Sequence, residues 1–304
     1  MFNKISIALN IPGPGNQDKY FSFRIQQNLY NEPCEYQPPS AIFVISDIEG
    51  NFDAMCRLLV KSKIIDKYFN WLFGEGHLVI LGDCFDRGEQ VTECLWLIYS
   101  LEQKAKKRGG HVHFILGNHE IMNMNGDWRY VHPKYAQSTL NPQKPPTALY
   151  GANIELWRWL RTKNIIEKIG NILFVHAGIS EELLALNISV QDINSIVRPF
   201  YTRGNEIFSH SLLQVVFNSD TGPFWYRGYY QGTATDSQIN QTLSMYDVTT
   251  IITGHTIVEH IDSYYNGKVI NTNTNHTMGN SEGLLIKKGI FYRVSNRGKK
   301  EKIK

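Results

Sequence analysis

Residues 77–88 read HLVILGDCFDRG, a short apolar run followed at once by a glycine and a group of polar residues. An apolar run without polar–apolar alternation predicts a strand that is buried on both faces. In α/β proteins, ligands gather at the carboxyl ends of such strands. The stretch therefore predicts a sheet strand that delivers a functional carboxylate, Asp83.

The same arrangement recurs four times along the chain. The further runs are AIFVIS at 41–46, before Asp47; HVHFIL at 111–116, before Gly117-Asn118; NILFV at 171–175, before His176; and TTIIT at 249–253, before Gly254-His255. Helical patterns at 53–62 and 89–108 separate the first three runs. Strands alternating with helices predict right-handed crossovers and a parallel sheet core.

The remaining sequence suggests the domain organisation. Residues 1–40 are rich in proline and glycine and predict an extended N-terminal lead-in with little regular structure. The main domain is predicted at 41–296, with a largely helical insertion at 121–170 beside the site. Short strands are expected at 257–294, with turns at Asn266-Gly267 and Lys288-Gly289. The basic residues 297–304 are expected to form a frayed, solvated tail.

Composition excludes several classes of protein. Lysine plus arginine number 31 and aspartate plus glutamate 28, a net charge of +3, which argues against nucleic-acid or membrane binding. The four cysteines form no CxxC pair, so we expect reduced thiols rather than a zinc knuckle. No signal-peptide pattern or spanning apolar segment is visible, which predicts a soluble, cytoplasmic protein. No pattern indicates an oligomeric state.

The polar residues at the strand ends form a candidate metal centre. They provide oxygen donors and two imidazoles, which suit a pair of first-row divalent ions. Such a pair can bridge a hydroxide, lower its pKa and clamp a phosphate during in-line attack. The candidate ligands are Asp47, Glu49, Asp83, Asn118, His176 and His255.

The ordered set of motifs resembles the calcineurin-like metallophosphoesterases. The motifs are DIEGN at 47–51, GDCFDRG at 82–88, GNHE at 117–120, VHAG at 175–178 and GHT at 254–256. The resemblance runs from Ala41 to about Thr256 and is closest to the phosphoprotein-phosphatase branch, in particular its bacterial or Shewanella-like members. It implies an α/β sandwich of two mixed β-sheets flanked by helices, with a dinuclear metal centre at one end.

The resemblance also implies a role for each motif residue. Asp83 would bridge the two metals, Asp47 and Glu49 would serve the first, and Asn118, His176 and His255 the second. His119 would be the general acid and Asp86 would orient it, while Arg87, Asn118 and Arg227 would hold the phosphate. A histidine that is held by a carboxylate has a defined tautomer and a usable pKa, which agrees with this assignment.

One position departs from the family pattern. The family usually has Asp-x-His-Gly in its first motif, whereas this chain has Asp47-Ile48-Glu49-Gly50. An anionic oxygen donor favours harder ions, so we expect manganese first, with iron, zinc or magnesium as alternatives. The other interpretation is that Glu49 does not ligate and the first metal binds weakly.

The expected reaction is hydrolysis of a phosphomonoester by a metal-bridging hydroxide. The substrate would be a phosphorylated protein (Ser/Thr or Tyr) or a small phosphomonoester. Alternatives are a nucleotide or diadenosine-polyphosphate hydrolase, against which the retained Asp86 argues, and a phosphate-binding pseudo-enzyme. Four residues of the insertion are either rim residues of the site or part of a small core of the insertion: Trp128, Arg129, Tyr130 and His132.

Overall fold

Strands and helices alternate along most of the computed structural model, which describes residues 5–12, 18–138 and 154–304. The strands are β1 (Ser6–Ile11), β2 (Lys19–Arg24), β3 (Glu35–Tyr36), β4 (Ala41–Ile45), β5 (His77–Leu81), β6 (His111–Ile115), β7 (Ile166–Ile169), β8 (Ile172–Val175), β9 (Thr250–Thr253), β10 (Asp262–Tyr264), β11 (Val269–Asn271), β12 (Glu282–Lys287), β13 (Ile290–Ser295) and β14 (Lys300–Lys302). The helices are α1 (Phe52–Lys61), α2 (Val91–Lys106), α3 (Asn118–Met124), α4 (Pro133–Ser138), α5 (Glu155–Leu160), α6 (Glu181–Ala185), α7 (Val190–Val197), α8 (Ser211–Val216), α9 (Gly228–Gln231) and α10 (Asp236–Met245).

The strands form two large mixed sheets and one hairpin. The first sheet has the order β14-β13-β12-β4-β5-β6, with β4, β5 and β6 mutually parallel. The second has the order β10-β11-β9-β8-β7-β3, with β8, β9 and β11 parallel. Antiparallel pairs such as β4–β12 and β7–β8 make both sheets mixed. The predicted sandwich of two mixed sheets is confirmed.

The central strands are apolar throughout because both of their faces are covered. In β4, Ile42 and Val44 join an inner core that includes Phe174 and Ile252 of the second sheet. The alternate residue Phe43 belongs to the outer core, where helices such as α1 and α2 pack. Fully buried apolar side chains contribute roughly 1.5–3 kcal/mol each relative to exposure. Burial on both faces explains the continuous runs from which the sheet was predicted.

The N-terminal lead-in is more regular than predicted. Strands β1 and β2 pair antiparallel as a hairpin, and β3 adds a parallel edge strand beside β7. Every second residue of β2 faces inward, so Phe21 and Phe23 are buried and the Phe23 ring stacks 4.8 Å from that of Trp96 on α2. The prediction of little regular structure was wrong because it relied on the proline and glycine content and overlooked the alternation of apolar residues in β2. Some of those prolines and glycines lie outside the described residues.

The C-terminal residues are also ordered, contrary to the prediction of a frayed tail at 297–304. Strand β14 pairs antiparallel with β13, and the Lys304 ammonium donates hydrogen bonds to Thr250 Oγ1 and to the Gly267 carbonyl, both at 2.7 Å. Because the β14 side chains are exposed, their charges remain solvated while the backbone completes the sheet. Charge alone therefore gave no indication of this edge strand.

The insertion is partly helical where the structure describes it. Helices α4 and α5 lie within the predicted insertion at 121–170, and α3 begins just before it, at Asn118. The sheet resumes with β7 at Ile166, before the predicted end of the insertion. Residues 139–153 lie outside the described residues. The predicted turns are present: Lys288 and Gly289 both have positive φ between β12 and β13, as a two-residue hairpin of this type requires.

Two smaller expectations concern the cysteines and the membrane. The four cysteines all lie in the described ranges, are buried and are free thiols. Among the described residues, no helix has both the length and the apolar character needed to cross a bilayer.

Candidate metal centre and active site

The carboxyl ends of five strands meet at one end of the sandwich. Asp47, Asp83 and Asn118 follow the parallel strands β4, β5 and β6 of the first sheet, and His176 and His255 follow β8 and β9 of the second. Register explains the convergence, because the parallel neighbours pair residue for residue up to these ends. The two sheets therefore contribute the predicted oxygen donors and imidazoles to a common site.

The backbone at this site is strained. Left-handed φ values between 48° and 71° occur at six non-glycine residues: Asp47, Glu49, Asp83, Asp86, Arg87 and His255. Each such residue costs about 1–3 kcal/mol and persists where the surroundings enforce it, typically at functional sites. Gly82 also has positive φ, and a Cβ there would lie 2.6 Å from both Gly117 N and His176 Nδ1. The two strand ends therefore approach too closely for any side chain at 82.

Three candidate ligand atoms converge at His176. Its Nδ1 lies 2.7 Å from the Leu81 carbonyl and donates to it, so whenever the ring is neutral its lone pair is on Nε2. That Nε2 lies 3.1 Å from Asn118 Oδ1 and 3.2 Å from Asp83 Oδ2, both of which are acceptors. When the ring is neutral, these three acceptors face one another in a buried site, an arrangement that a bound cation stabilises. The donor set fits a divalent metal ion.

His255 completes this set of ligands. Its Nε2 is buried without a hydrogen-bond partner in the described part of the chain, and burial lowers the pKa of the ring to about 2, which keeps it neutral. A ligand nitrogen of His255 lies within 4.8 Å of ligand atoms of Asp83 and His176. Asp47 is adjacent, since its Oδ2 accepts the His255 N–H at 3.1 Å. An orphaned neutral imidazole is the form that binds metal.

The charges around the centre also favour a bound cation. Burial opposes ionisation of Asp83, but the charges of His176 and His119 outweigh it and hold the pKa of Asp83 well below its usual range. Burial likewise opposes protonation of His176, yet Asp83 raises the pKa of His176 to about 9. Burial raises the pKa of Asp47 to about 7. The buried carboxyl groups of Asp47 and Asp83 thus share the positive charge of His176, and a bound divalent cation would stabilise both in their ionised form.

Glu49 lies between the centre and the candidate phosphate-binding arginine. A carboxylate oxygen of Glu49 lies within 4.8 Å of ligand atoms of Asp83 and His119, so glutamate reaches the centre from this position. The same side chain forms an ion pair with the Arg87 guanidinium, which is half exposed. Glu49 is therefore placed to serve a metal and to fix Arg87, a contact that sequence reasoning did not foresee.

His119 and Asp86 form the predicted pair. Nδ1 of His119 lies 2.6 Å from Asp86 Oδ2, and Nε2 points toward the centre, 3.8 Å from Asp83 Oδ2. Burial opposes protonation of His119, but the charge of Asp83 and the bond to Asp86 raise its pKa. Asn123 donates to the other Asp86 oxygen at 2.8 Å, which orients the carboxylate. The pair can therefore hold a proton beside the centre.

Arg227 lies next to His255. Its Nη1 donates to Thr256 Oγ1 at 3.2 Å and to the His255 carbonyl at 3.4 Å, and the side chain is otherwise exposed. The ring of Trp225 packs edge-on at 6.1 Å from that of His255. The aromatic segment thus brings Arg227 to the rim of the site.

Sequence reasoning quoted Glu120 within a motif but missed its function. This fully buried carboxylate accepts N–H bonds from both strand ends: Oε1 from Cys84 and Phe85 at 2.8 and 3.3 Å, and Oε2 from Asp83 and Gly117 at 2.9 and 2.7 Å. A buried glutamate three residues after a glycine at a strand end could have indicated it.

His276 was also missed. Its Nε2 bonds the Ser46 carbonyl at 3.0 Å, directly before Asp47, and it comes from a turn 230 residues away in sequence. No motif in the sequence marks it.

The comparisons with known proteins agree with this geometry. The calcineurin-like phosphoesterase family model matches residues 40–259. The chain is 28% identical to Shewanella-like protein phosphatase 1 of Plasmodium berghei over 77% of this chain and 66% of that protein. It is 29% identical to an uncharacterised protein of Schizosaccharomyces pombe over 79% of this chain and 74% of that protein.

A solved structure is also similar over almost the whole chain. The cold-active protein-tyrosine phosphatase of a psychrophilic Shewanella species has 34% sequence identity and a TM-score of 0.86, covering 97% of this chain and 98% of that one.

Proposed function

The chain belongs to the calcineurin-like phosphoesterase family, and from that premise we propose that it removes phosphate from phosphorylated proteins, with phosphotyrosine as its substrate. The family makes it a metal-dependent phosphatase with a dinuclear divalent centre. The substrate, the metals and the role of each residue belong to the proposal. The observation that carries it is the buried His119–Asp86 pair beside the converging metal ligands.

A phosphomonoester needs a proton donor for its leaving group. When the leaving group is an alkoxide or phenoxide, a positioned acid contributes typically 10²–10⁴-fold. His119, whose pKa is raised, presents Nε2 to the centre while Asp86 fixes Nδ1. In this proposal His119 donates its proton to the departing oxygen, and Asp86 stabilises the imidazolium beforehand. A phosphate-binding pseudo-enzyme would not need this pair.

Two arginines would hold the phosphoryl group. Arg87 presents a half-exposed guanidinium, whose planar fork suits two phosphate oxygens. Arg227 is held at the rim by Thr256 and by the His255 carbonyl. Asn118 would contact a phosphate oxygen as well as a metal.

The metal centre would be held by the six predicted ligands. Asp83 would bridge, Asp47 and Glu49 would serve the first ion, and Asn118, His176 and His255 the second. When bound, the ions supply an activated water and neutralise charge on the phosphate. The anionic Glu49 favours manganese as the first ion to test, since carboxylate-rich sites suit harder cations.

The test is a metal-reconstitution assay with three substrates. Chelated protein is reloaded with Mn²⁺, Mg²⁺, Fe²⁺ or Zn²⁺ and assayed with p-nitrophenyl phosphate, a phosphotyrosine peptide and a diadenosine polyphosphate. We expect no turnover without metal, highest activity with Mn²⁺, and hydrolysis of the peptide. Preference for the diadenosine compound, or turnover that survives chelation, would overturn the proposal.

A further inference from the structure

We propose that Tyr130 determines the choice of leaving group and favours aromatic phosphate esters, such as phosphotyrosine, over aliphatic ones, such as phosphoserine. The inference rests on the proposed function, because it names the substrate class of the same site. Tyr130 follows α3, in the loop before α4, and nothing in the motifs assigns it a role.

Tyr130 lies beside the candidate general acid. Its ring centre is 5.3 Å from that of His119, and the two planes are inclined by 57°. Tyr130 is 44% exposed, although it lies next to the buried His119–Asp86 pair. Part of this aromatic residue is therefore accessible to solvent beside the candidate acid.

Two arginines and the backbone hold this ring. The guanidinium carbons of Arg87 and Arg129 lie 5.6 and 5.7 Å from the ring centre, within cation–π range. The backbone N–H of Arg87 donates to the backbone carbonyl of Tyr130 at 2.9 Å. Arg129 is itself fixed by a bidentate pair with Asp127. The ring thus has a defined position before substrate arrives, which reduces the entropic cost of binding.

The position of the acid determines what Tyr130 contacts. The oxygen of the leaving group must come within hydrogen-bond distance of His119 Nε2 to receive the proton. In this proposal the atoms attached to that oxygen leave His119 on the side of Tyr130, whose ring adjoins that of His119. A phenyl group gains an offset or edge-on aromatic contact there, whereas the single methylene of phosphoserine does not.

A competing explanation is that Tyr130 acts only through Arg87. In that case removal of the ring would loosen Arg87 and weaken the binding of every phosphate equally. The two explanations differ in a measurable way, because inorganic phosphate contacts the arginine but has no leaving group. Its inhibition constant therefore reports how well the phosphate-binding groups, Arg87 among them, hold phosphate, without any contribution from a leaving group.

The experiment compares phosphotyrosine and phosphoserine peptides of otherwise identical sequence. The Mn²⁺-loaded wild type, Tyr130→Ala, Tyr130→Phe and Tyr68→Ala are assayed for kcat/KM, with inorganic phosphate as competitive inhibitor. Tyr68 is an exposed tyrosine in the segment between α1 and β5 and serves as the matched control. Phenols leave more readily than aliphatic alcohols, so the measured quantity is the change in the ratio of the two kcat/KM values.

We expect Tyr130→Ala to lower the phosphotyrosine-to-phosphoserine ratio by about 3- to 10-fold, as for a typical aromatic contact. Tyr130→Phe and Tyr68→Ala should keep the wild-type ratio, and inhibition by phosphate should be unchanged in all variants. An unchanged ratio in Tyr130→Ala, or an equal loss for both peptides with weaker phosphate inhibition, would overturn the inference. Absence of turnover with any phosphomonoester in the wild type would instead overturn the proposed function.

Discussion

Replacing Glu120 by glutamine tests whether this carboxylate holds the metal-binding strand ends together. Both of its oxygens accept two backbone N–H groups, from 83–85 and from Gly117, so neither oxygen can carry a hydrogen without losing bonds. Burial and the charge of Asp83 raise the pKa of Glu120, but the four donors oppose this and require the ionised form. An amide NH₂ in place of either oxygen would face two N–H groups.

The expected loss follows from these bonds. Hydrogen bonds to charged groups contribute about 1.5–3 kcal/mol each, so losing two gives about 3–6 kcal/mol in the free energy of unfolding. The side chain is fully buried, so water cannot replace the missing acceptor. Such a loss is a large share of the roughly 5–15 kcal/mol by which a typical domain is stable.

The assay is urea unfolding at pH 7 in the presence of a chelator, so that bound metal does not contribute. Glu167→Gln is the matched control, since Glu167 is also a buried carboxyl, on β7 of the second sheet. Burial raises the pKa of Glu167 to about 8, so this carboxyl is mostly protonated and neutral at pH 7. The substitution then exchanges a neutral acid for a neutral amide of similar shape. We expect the control to lose about 1 kcal/mol or less, the net value of one neutral hydrogen bond. Equal losses in the two variants would refute the assignment.

Three further predictions concern the metal, the acid and pH. Glu49→His should shift bound metal from manganese toward zinc in elemental analysis of purified protein, and an unchanged metal content would remove Glu49 from the ligand set. His119→Asn should lower kcat by about 10²–10⁴-fold for a phosphoserine peptide. The loss should be much smaller for p-nitrophenyl phosphate, whose leaving group needs no proton, and equal losses would argue against an acid role. Burial lowers the pKa of His113 to about 3 and that of His77 to about 4, so both bind fewer protons in the folded than in the unfolded state. The free energy of unfolding should therefore fall as pH drops from about 6.5 toward 4. In urea titrations His77→Gln should fall less steeply, and a slope equal to that of the wild type would contradict the assignment.

Local pattern explains why so much of the fold and site was predicted from sequence. Strands covered on both faces must be apolar throughout, so the runs before Asp47, Asp83, Asn118, His176 and His255 were visible. The polar residue after each run was visible because it interrupts the apolar pattern. Because parallel strand ends share an edge, convergence of the ligands within each sheet needed no coordinates.

Long-range contacts explain what was missed. The edge strand β14 depends on backbone pairing with β13, to which its exposed lysines give no clue. His276 supports Asp47 from a distant turn, and a single histidine in a sequence does not reveal its partner. The hairpin of β1 and β2 is held by packing on α2, which local proline and glycine content does not report.

The sequence by itself predicted the parallel strands near the centre and the six candidate ligands at their ends, because both rest on residues that are adjacent in the chain. The acid pair was implied by the resemblance of the motifs to a family. Only the tertiary structure decided how the side chains meet. In the folded chain Glu49 pairs with Arg87, Glu120 accepts hydrogen bonds from two strand ends, and the Tyr130 ring lies beside His119. These contacts depend on backbone conformations and distances between elements, which no local pattern in the chain encodes.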